Sequence, residues 1–390
     1  MRNDRKAFLV LALAFLMSMF FRSYFGVVGP IVAADIHLDS SHYGYAASAF
    51  FVSFGLLQIP LGSAFDRFGI RTLTAALMTV GALGAALVAT AGTAGQLIAG
   101  QAILGAGCAP IFMGVVYQYG SLSDGVVARR KIAAISAVGS LGALLSASPM
   151  VWLCALVGWR GAMLLAATSM ALGAAGVAFQ MAPPGQDGQS DDMPDGKPAN
   201  LFYLLPICLT LSIGGTFRSA WAGPYSSGVF SADQSISGFA LTIVSAVGIA
   251  TSFAIPALVS RVSPRNIVAG GMAAATTATF GMAVSPDSSI VAAIALVCVL
   301  YSIGNLHPLV MAEAQELMPP KRKGLLLGFL NTLVFFGVAI SSAVFGWIAQ
   351  TADGPYPTFQ VILFVTAACL LIGLAAYLTR PAWKTDNNQR

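Results

Sequence analysis

Two arginines carry most of the chemistry this sequence offers. Arg22 lies in Phe21-Arg22-Ser23, in the middle of an apolar run with no acid inside the same span. Arg218 lies in Phe217-Arg218-Ser219 about half a chain later, again within an apolar run, and Gly223-Pro224 follows it much as Gly29-Pro30 follows Arg22. On an insertion scale an arginine at a helix centre costs about 2.5–3.5 kcal/mol, so such a residue normally faces a cavity or a partner and marks a function. The planar guanidinium fork suits carboxylate and phosphate, and two such cations facing one water-filled cavity repel until an anion joins them. The pattern predicts an anion site built from Arg22 and Arg218. The alternative is that each guanidinium is satisfied by carbonyls at helix breaks near Gly29-Pro30 and Gly223-Pro224.

Other polar groups can join such a site. Helical spacing puts Trp221 and Tyr225 on the face of Arg218, at i+3 and i+7, as an aromatic wall or as packing. Tyr301, Asn305 and His307 precede Pro308 in another apolar run, and Asn331 sits in the next. A histidine within a membrane span is a candidate ligand or proton carrier, though a satisfied core histidine fits the same sequence. Glu313, six residues further on, is the acid nearest to a membrane-embedded position and shares the proton-coupling candidacy with His307. Asp124 and Glu316 read as interfacial, and Tyr117 and Gln118 as lining an inner vestibule or as packing. Proton symport would use His307 or Glu313, whereas exchange against a counter-anion needs no titrating group.

The elements that position these residues follow from composition. Of 390 residues 57% are hydrophobic and 9% charged, with a mean hydropathy of +0.79. A soluble globule carries about a quarter charged residues, so this is an integral membrane protein. Charged and Gly/Pro/Asn clusters cut the chain into twelve spans of roughly 20–27 residues, each enough to cross about 30 Å of hydrocarbon. Their limits fall near 7–33, 44–65, 72–90, 96–120, 132–157, 161–181, 201–226, 237–260, 266–285, 289–312, 324–349 and 357–379. Seventeen of the twenty lysines and arginines fall on one side of these spans. That side is expected to be the cytoplasm, with both termini on it, in the plasma membrane and specifically a bacterial inner membrane.

The polar segment 182–200, with Pro183-Pro184-Gly185 and four aspartates, divides six spans from six. The expected organisation is a bundle over 1–181, a cytoplasmic linker over 182–200 and a second bundle over 201–390. Across the linker Arg67 and Arg71 align with Arg261 and Arg265, and Pro110 with Pro308. A parallel repeat of this kind implies a pseudo-two-fold axis along the membrane normal, with the site at the midplane between the halves.

The loop Gly62-Ser63-Ala64-Phe65-Asp66-Arg67-Phe68-Gly69-Ile70-Arg71 resembles the signature loop between helices 2 and 3 of the major facilitator superfamily. Gly158-Trp159-Arg160 and Arg129-Arg130-Lys131 match it further. The resemblance implies an all-α membrane protein of twelve transmembrane helices in two pseudo-symmetric six-helix bundles, working by alternating access. It also implies a conformational latch at Gly62, Asp66, Arg67, Gly69 and Arg71, whose copy Ser260-Arg261-Val262-Ser263-Pro264-Arg265 lacks the acid and the glycine. Arginines at mid-depth on helices 1 and 7 are similar to those of the organic-phosphate antiporters and the organic-anion transporters related to sialin. The proton-driven drug exporters carry a glycine-rich pattern on helix 5 of which 139–149 keeps fragments only.

The function expected is secondary transport of a small carboxylate or phosphate ester. Its rivals are a proton-driven exporter of drugs or other amphipathic solutes, and a transport-inactive receptor on the same fold. The expected partners are the anion, the bilayer, and protons or a counter-anion, with the protein a monomer. The five cysteines, all in apolar runs, have no paired spacing, and there is no basic patch interleaved with aromatics. No metal, cofactor, enzyme activity or nucleic acid is therefore expected.

Overall fold

The computed structural model describes residues 2–120, 125–180, 202–317 and 323–379, and among them every regular element is helical. In lipid each backbone N–H and C=O must be satisfied within its own segment, which leaves the helix as the solution for apolar runs of this length. The segment 182–200, expected to be a linker, lies outside the described residues, as do Asp124 and the basic residues at 321–322 and 380–390.

The first half consists of α1 (Arg2–Ser23), α2 (Phe25–Asp35), α3 (Ser40–Phe68), α4 (Ile70–Thr90), α5 (Ala94–Gly120), α6 (Gly125–Leu145) and α7 (Ser148–Gln180). The second half begins with α8 (Leu204–Thr210), α9 (Ile213–Thr216), a π-helical turn (Phe217–Trp221) and α10 (Ala222–Phe230). It continues with α11 (Gln234–Val259), α12 (Pro264–Val284), α13 (Ile290–Ile303), a 3-10 turn (Gly304–Leu306), α14 (His307–Leu317), α15 (Lys323–Thr351) and α16 (Pro355–Leu378). Ten helices among the described residues are long and apolar enough to cross a membrane. Four of the twelve expected spans are interrupted among the described residues: the first between α1 and α2, the tenth by the 3-10 turn between α13 and α14, and two more extensively. The fifth is split between α6 and the start of α7, which turns at Gly158 (φ 73°) into the sixth, and the seventh is assembled from α8, α9, the π-helical turn and α10.

The breaks have local causes. Pro149 follows the interruption at Ser146-Ala147, and Pro308 follows the 3-10 turn. A proline has no N–H to offer the carbonyl four residues back. Pro224 thereby releases the Ala220 carbonyl, which accepts from the hydroxyl of Tyr43 on α3. The first span breaks at Tyr24, between α1 and α2, whereas Pro30, near which the alternative reading of Arg22 put a break, lies inside α2.

The two halves echo one another in their caps. Asp39 accepts from the backbone N–H of His42 at 2.8 Å to start α3, and Asp233 accepts from that of Ile236 at 2.8 Å to start α11. Gly69, at φ 74°, ends α3 and starts α4. In the second half Ser263 caps α12 with Pro264 at its first position, so the positive φ and the glycine are both dispensable there.

Small residues let the halves approach backbone to backbone. A Cβ on Gly44 would lie 2.6 Å from the Ser342 carbonyl, and one on Gly26 would lie 2.7 Å from the Arg218 carbonyl. Contacts between the halves run from Ser40 and Gly346, at the Asp35 end of the bundle, to Gln58 and Asn331 near mid-depth. Towards the Arg67 end, Gly62 and Gly328 have open space where a side chain would be. Among the described residues the halves thus meet on the Asp35 side, and Gly62 and Gly328 make no such approach on the Arg67 side.

Candidate functional site at the meeting of the halves

Arg218 sits on the π-helical turn and is 1% exposed. Its Nε donates to Ser245 Oγ at 2.8 Å, one terminal nitrogen to the Ser23 carbonyl at 3.3 Å, and the other to the Ala143 carbonyl at 2.6 Å and Ser146 Oγ at 3.1 Å. Ser23 ends α1 at its break, and Ala143 and Ser146 flank the end of α6. Those acceptors exist because the two helices stop there, leaving terminal carbonyls without intrahelical donors. Arg218 therefore ties the seventh span to the first, fifth and eighth. The carbonyls it binds belong to breaks at Tyr24 and Ser146-Ala147, and the breaks considered at Gly29-Pro30 and Gly223-Pro224 do not supply them.

Arg22, on the last turn of α1, has a different environment. Its guanidinium lies 4.3 Å from the ring centroid of Phe54 on α3 and 5.3 Å from that of Phe335 on α15. Among the described residues its one hydrogen bond is a long contact of 3.9 Å to the Met19 sulfur, and its buried Nε has no partner. It faces a cavity with room for about one water, walled by Phe21, Phe25, Phe50, Phe51, Gln101 and Ser219. Gln101 is held in place by the Tyr24 hydroxyl, which donates to its Oε1 at 3.0 Å.

The remaining candidates divide by location. Tyr301 packs its ring against Gly248 on the eighth span. Asn305, on the 3-10 turn, donates to the Gly248 carbonyl at 2.8 Å and so ties the tenth span to the eighth. His307 follows that turn with its Nε2 buried and unpartnered. Asn331 donates to Gln58 Oε1 at 3.4 Å across the halves.

Trp221 and Tyr225 do not line the Arg22 cavity. Trp221 packs edge-on against Tyr43 and Phe345, sealing the Asp35 side, and Tyr225 donates to the Pro286 carbonyl at 2.7 Å beside a separate apolar cavity. Glu313 accepts from the hydroxyls of Tyr203 at 2.6 Å and Tyr377 at 2.8 Å, towards the Arg67 side and away from the arginines.

At the signature loop, exposed Asp66 accepts from the hydroxyl of Tyr117 on α5, and Arg67 lies 5.2 Å from the ring of its neighbour Phe68. Arg71 is half-buried just beyond the Gly69 turn, while Gly62 meets nothing in this conformation. On the opposite side Arg160 pairs with Asp35 and donates to the Ala91 carbonyl at 3.1 Å, clamping the sixth, first and third spans together.

Sequence reasoning missed Gln101, Gln58, Phe54, Phe335 and the Ser146/Ser245 pair around the arginines. Two amides within apolar spans were a usable signal. The Ser23 and Ala143 carbonyls had none, since a backbone oxygen becomes a ligand only where a helix breaks.

The profile of the Major Facilitator Superfamily matches residues 11–335. Over nearly its whole length the chain is similar in structure to the nucleoside transporter NupG, at TM-score 0.73 and 16% identity, covering 95% of this chain and 98% of that one. It is also similar to a bacterial homolog of the human lysosomal transporter Spinster in an inward-facing, occupied conformation, at TM-score 0.75, 15% identity and 97% of each chain. A D-xylose-proton symporter superposes at TM-score 0.71 and 13% identity, covering 94% and 97% of the two chains. These identities speak for the fold alone. In sequence, 65 residues are 32% identical to the uncharacterized transporter YybO of Bacillus subtilis (strain 168), spanning 17% of this chain and 15% of that protein. The profile match across most of the chain, on a helical bundle shared with solved transporters, makes this protein a multi-pass membrane transporter that belongs to the Major Facilitator Superfamily.

Proposed function

We propose that the protein is a secondary transporter of a small organic anion, with Arg22 as the anchor of the anion and Arg218 as a second group that meets it when the halves part. The observation that carries this reading is the Arg22 guanidinium: a cation at mid-span, facing a cavity, with a buried unpartnered Nε and no carboxylate beside it among the described residues. A cation so placed is a standing attraction for an anion and a repulsion for the cationic solutes of a drug exporter. The bundles over 1–181 and 201–390 would rock about this point. If the basic side is cytoplasmic, in a bacterial inner membrane, the conformation described above is the inward-facing one.

Arg218 supports the reading through its position rather than its freedom. Its bonds to Ser23, Ala143 and Ser146 cross from the second half to the first, so opening the Asp35 side must break them. An arriving anion would replace those neutral oxygens with a charge-assisted partner. His307 and Glu313 are the groups through which protons would couple to net uptake, and exchange against a counter-anion would use neither.

A charge-assisted bond contributes roughly 1.5–3 kcal/mol net, so Arg22→Ala should weaken anion binding by about tenfold to a hundredfold. Arg22→Lys keeps the charge without the fork and should recover part of that loss. The check is calorimetric titration of purified, monodisperse protein with carboxylates and phosphate esters. Wild-type affinity in a well-folded Arg22→Ala variant would refute the anion site.

A further inference from the structure

The cavity at Arg22 sorts the anions that the proposed function leaves open. We propose that the substrate is a monocarboxylate with an apolar body, its head on Arg22 and its body among Phe21, Phe25, Phe50 and Phe51; the inference rests on Arg22 being the anion anchor. Three observations on the structure carry it.

The first is charge. Arg22 is the one cationic side chain lining the cavity, and Arg218 already spends its donors on Ser245, Ser23, Ala143 and Ser146. A monoanion entering beside Arg22 is neutralised. A phosphate-ester dianion or a dicarboxylate leaves one negative charge uncompensated in a site walled by four phenylalanines and Ala47, with Gln101 and Ser219 as its uncharged polar groups, where an unpaired charge is heavily penalised.

The second is the set of uncharged donors. Tyr24 occupies Gln101 Oε1, which leaves the amide NH2 as the donor that this residue can bring to a ligand in the cavity it lines. The Ser219 hydroxyl, also on the wall, donates to the Thr216 carbonyl at 3.3 Å, so guanidinium and amide together match the two oxygens of one carboxylate. A phosphoryl group, with three terminal oxygens, would ask for more donors.

The third is the wall. Phe21, Phe25, Phe50 and Phe51 are buried, and Phe54 and Phe335 already stack on the guanidinium. The Phe54–Phe335 pair, with centroids 4.5 Å apart, joins α3 of the first half to α15 of the second. Parting those halves enlarges the site between aromatic faces, so the space gained favours a ring or a branched alkyl group over hydroxylated chains, whose polar groups would find few partners.

The test uses purified full-length protein titrated with four probes: phenylacetate, phenyl phosphate, succinate and the neutral phenylacetamide. Phenylacetate should bind at least about tenfold more tightly than phenyl phosphate or succinate, because each of these retains an unpaired charge. Phenylacetamide should bind at least as weakly, and Arg22→Lys should lose affinity for phenylacetate while keeping the wild-type melting profile.

Tighter binding of phenyl phosphate or succinate, still abolished by Arg22→Ala, would overturn the monocarboxylate while leaving the anion site standing. Phenylacetamide binding as well as phenylacetate, or phenylacetate binding unaffected by Arg22→Ala, would overturn both. Failure of all four probes to bind folded protein would overturn the monocarboxylate as well.

Discussion

Two arginines that look alike in sequence have opposite partners: among the described residues Arg218 is held by four oxygens and Arg22 by none. Removing the Arg218 side chain leaves the buried Ser23 carbonyl short of a donor, a penalty of roughly 1–3 kcal/mol carried only by the closed state, while the Ala143 carbonyl keeps the hydroxyls of Ser146 and Ser245. Arg218→Ala should therefore shift the protein towards opening on its Asp35 side, read as a longer distance between spin labels at positions 93 and 288. An unchanged distance together with weakened anion binding would reduce Arg218 to a ligand with no part in the gate. Asp66 and Tyr117 share one hydrogen bond at the signature loop, so neither would touch an anion held at Arg22. Asp66→Asn and Tyr117→Phe should both slow turnover in proteoliposomes more than they weaken binding. Loss of affinity at normal turnover would remove the latch role.

Breaks, and not only helices, build the site. The interruptions at Tyr24, Ser146-Ala147, the π-helical turn and the 3-10 turn fall in the first, fifth, seventh and tenth spans, and three of them bear directly on Arg218. Discontinuous helices at mid-membrane expose backbone oxygens that an intact helix would consume. The caps at the Asp35 side can be tested apart from transport. The backbone N–H of His42, and then its ring at 2.6 Å, hold the Asp39 carboxyl below the usual carboxylate range. A depressed pKa contributes stability that is present above the unfolded value and lost as pH falls through the folded one. Asp39→Ala should lower stability by about 0.5–2 kcal/mol at neutral pH, with Asp39→Asn in between because it keeps the cap acceptor and loses the charge. The melting-temperature gap between wild type and Asp39→Ala should shrink below about pH 4, the usual carboxylate range. A gap independent of pH would mean the charge of Asp39 adds nothing to the cap.

At the scale of the whole molecule, the inter-half contacts named above among the described residues lie between the Asp35 end and mid-depth, the arrangement expected of two bundles closed on one side. Ser148 Oγ and Thr242 Oγ, 2.9 Å apart, join α7 to α11 across that seal. Ser148→Cys with Thr242→Cys, in a background lacking the five native cysteines, should cross-link on oxidation and abolish transport, with recovery on reduction. The two single variants should transport normally. A cross-linked protein that still transports at the wild-type rate would show that this side need not open.

Much of this was legible in the chain before any coordinate. Hydropathy gives away the membrane and most of the spans because lipid tolerates so few backbone solutions, and Gly62-to-Arg71 points to the superfamily because the tight turn needs Gly69 at positive φ. Arg22 and Arg218 announced themselves because a buried charge is too costly to be idle. Which of the two is free was not legible. That depends on where the first and fifth spans break, on Ser245 arriving from the eighth, and on Phe54 and Phe335 meeting across the halves. Trp221 and Tyr225, expected on the face of Arg218, point away from the Arg22 cavity, because the π-helical turn changes the register beyond Arg218. Sequence spacing determines which residues share a helix face only while the helix stays regular, and the tertiary structure decides where it does not.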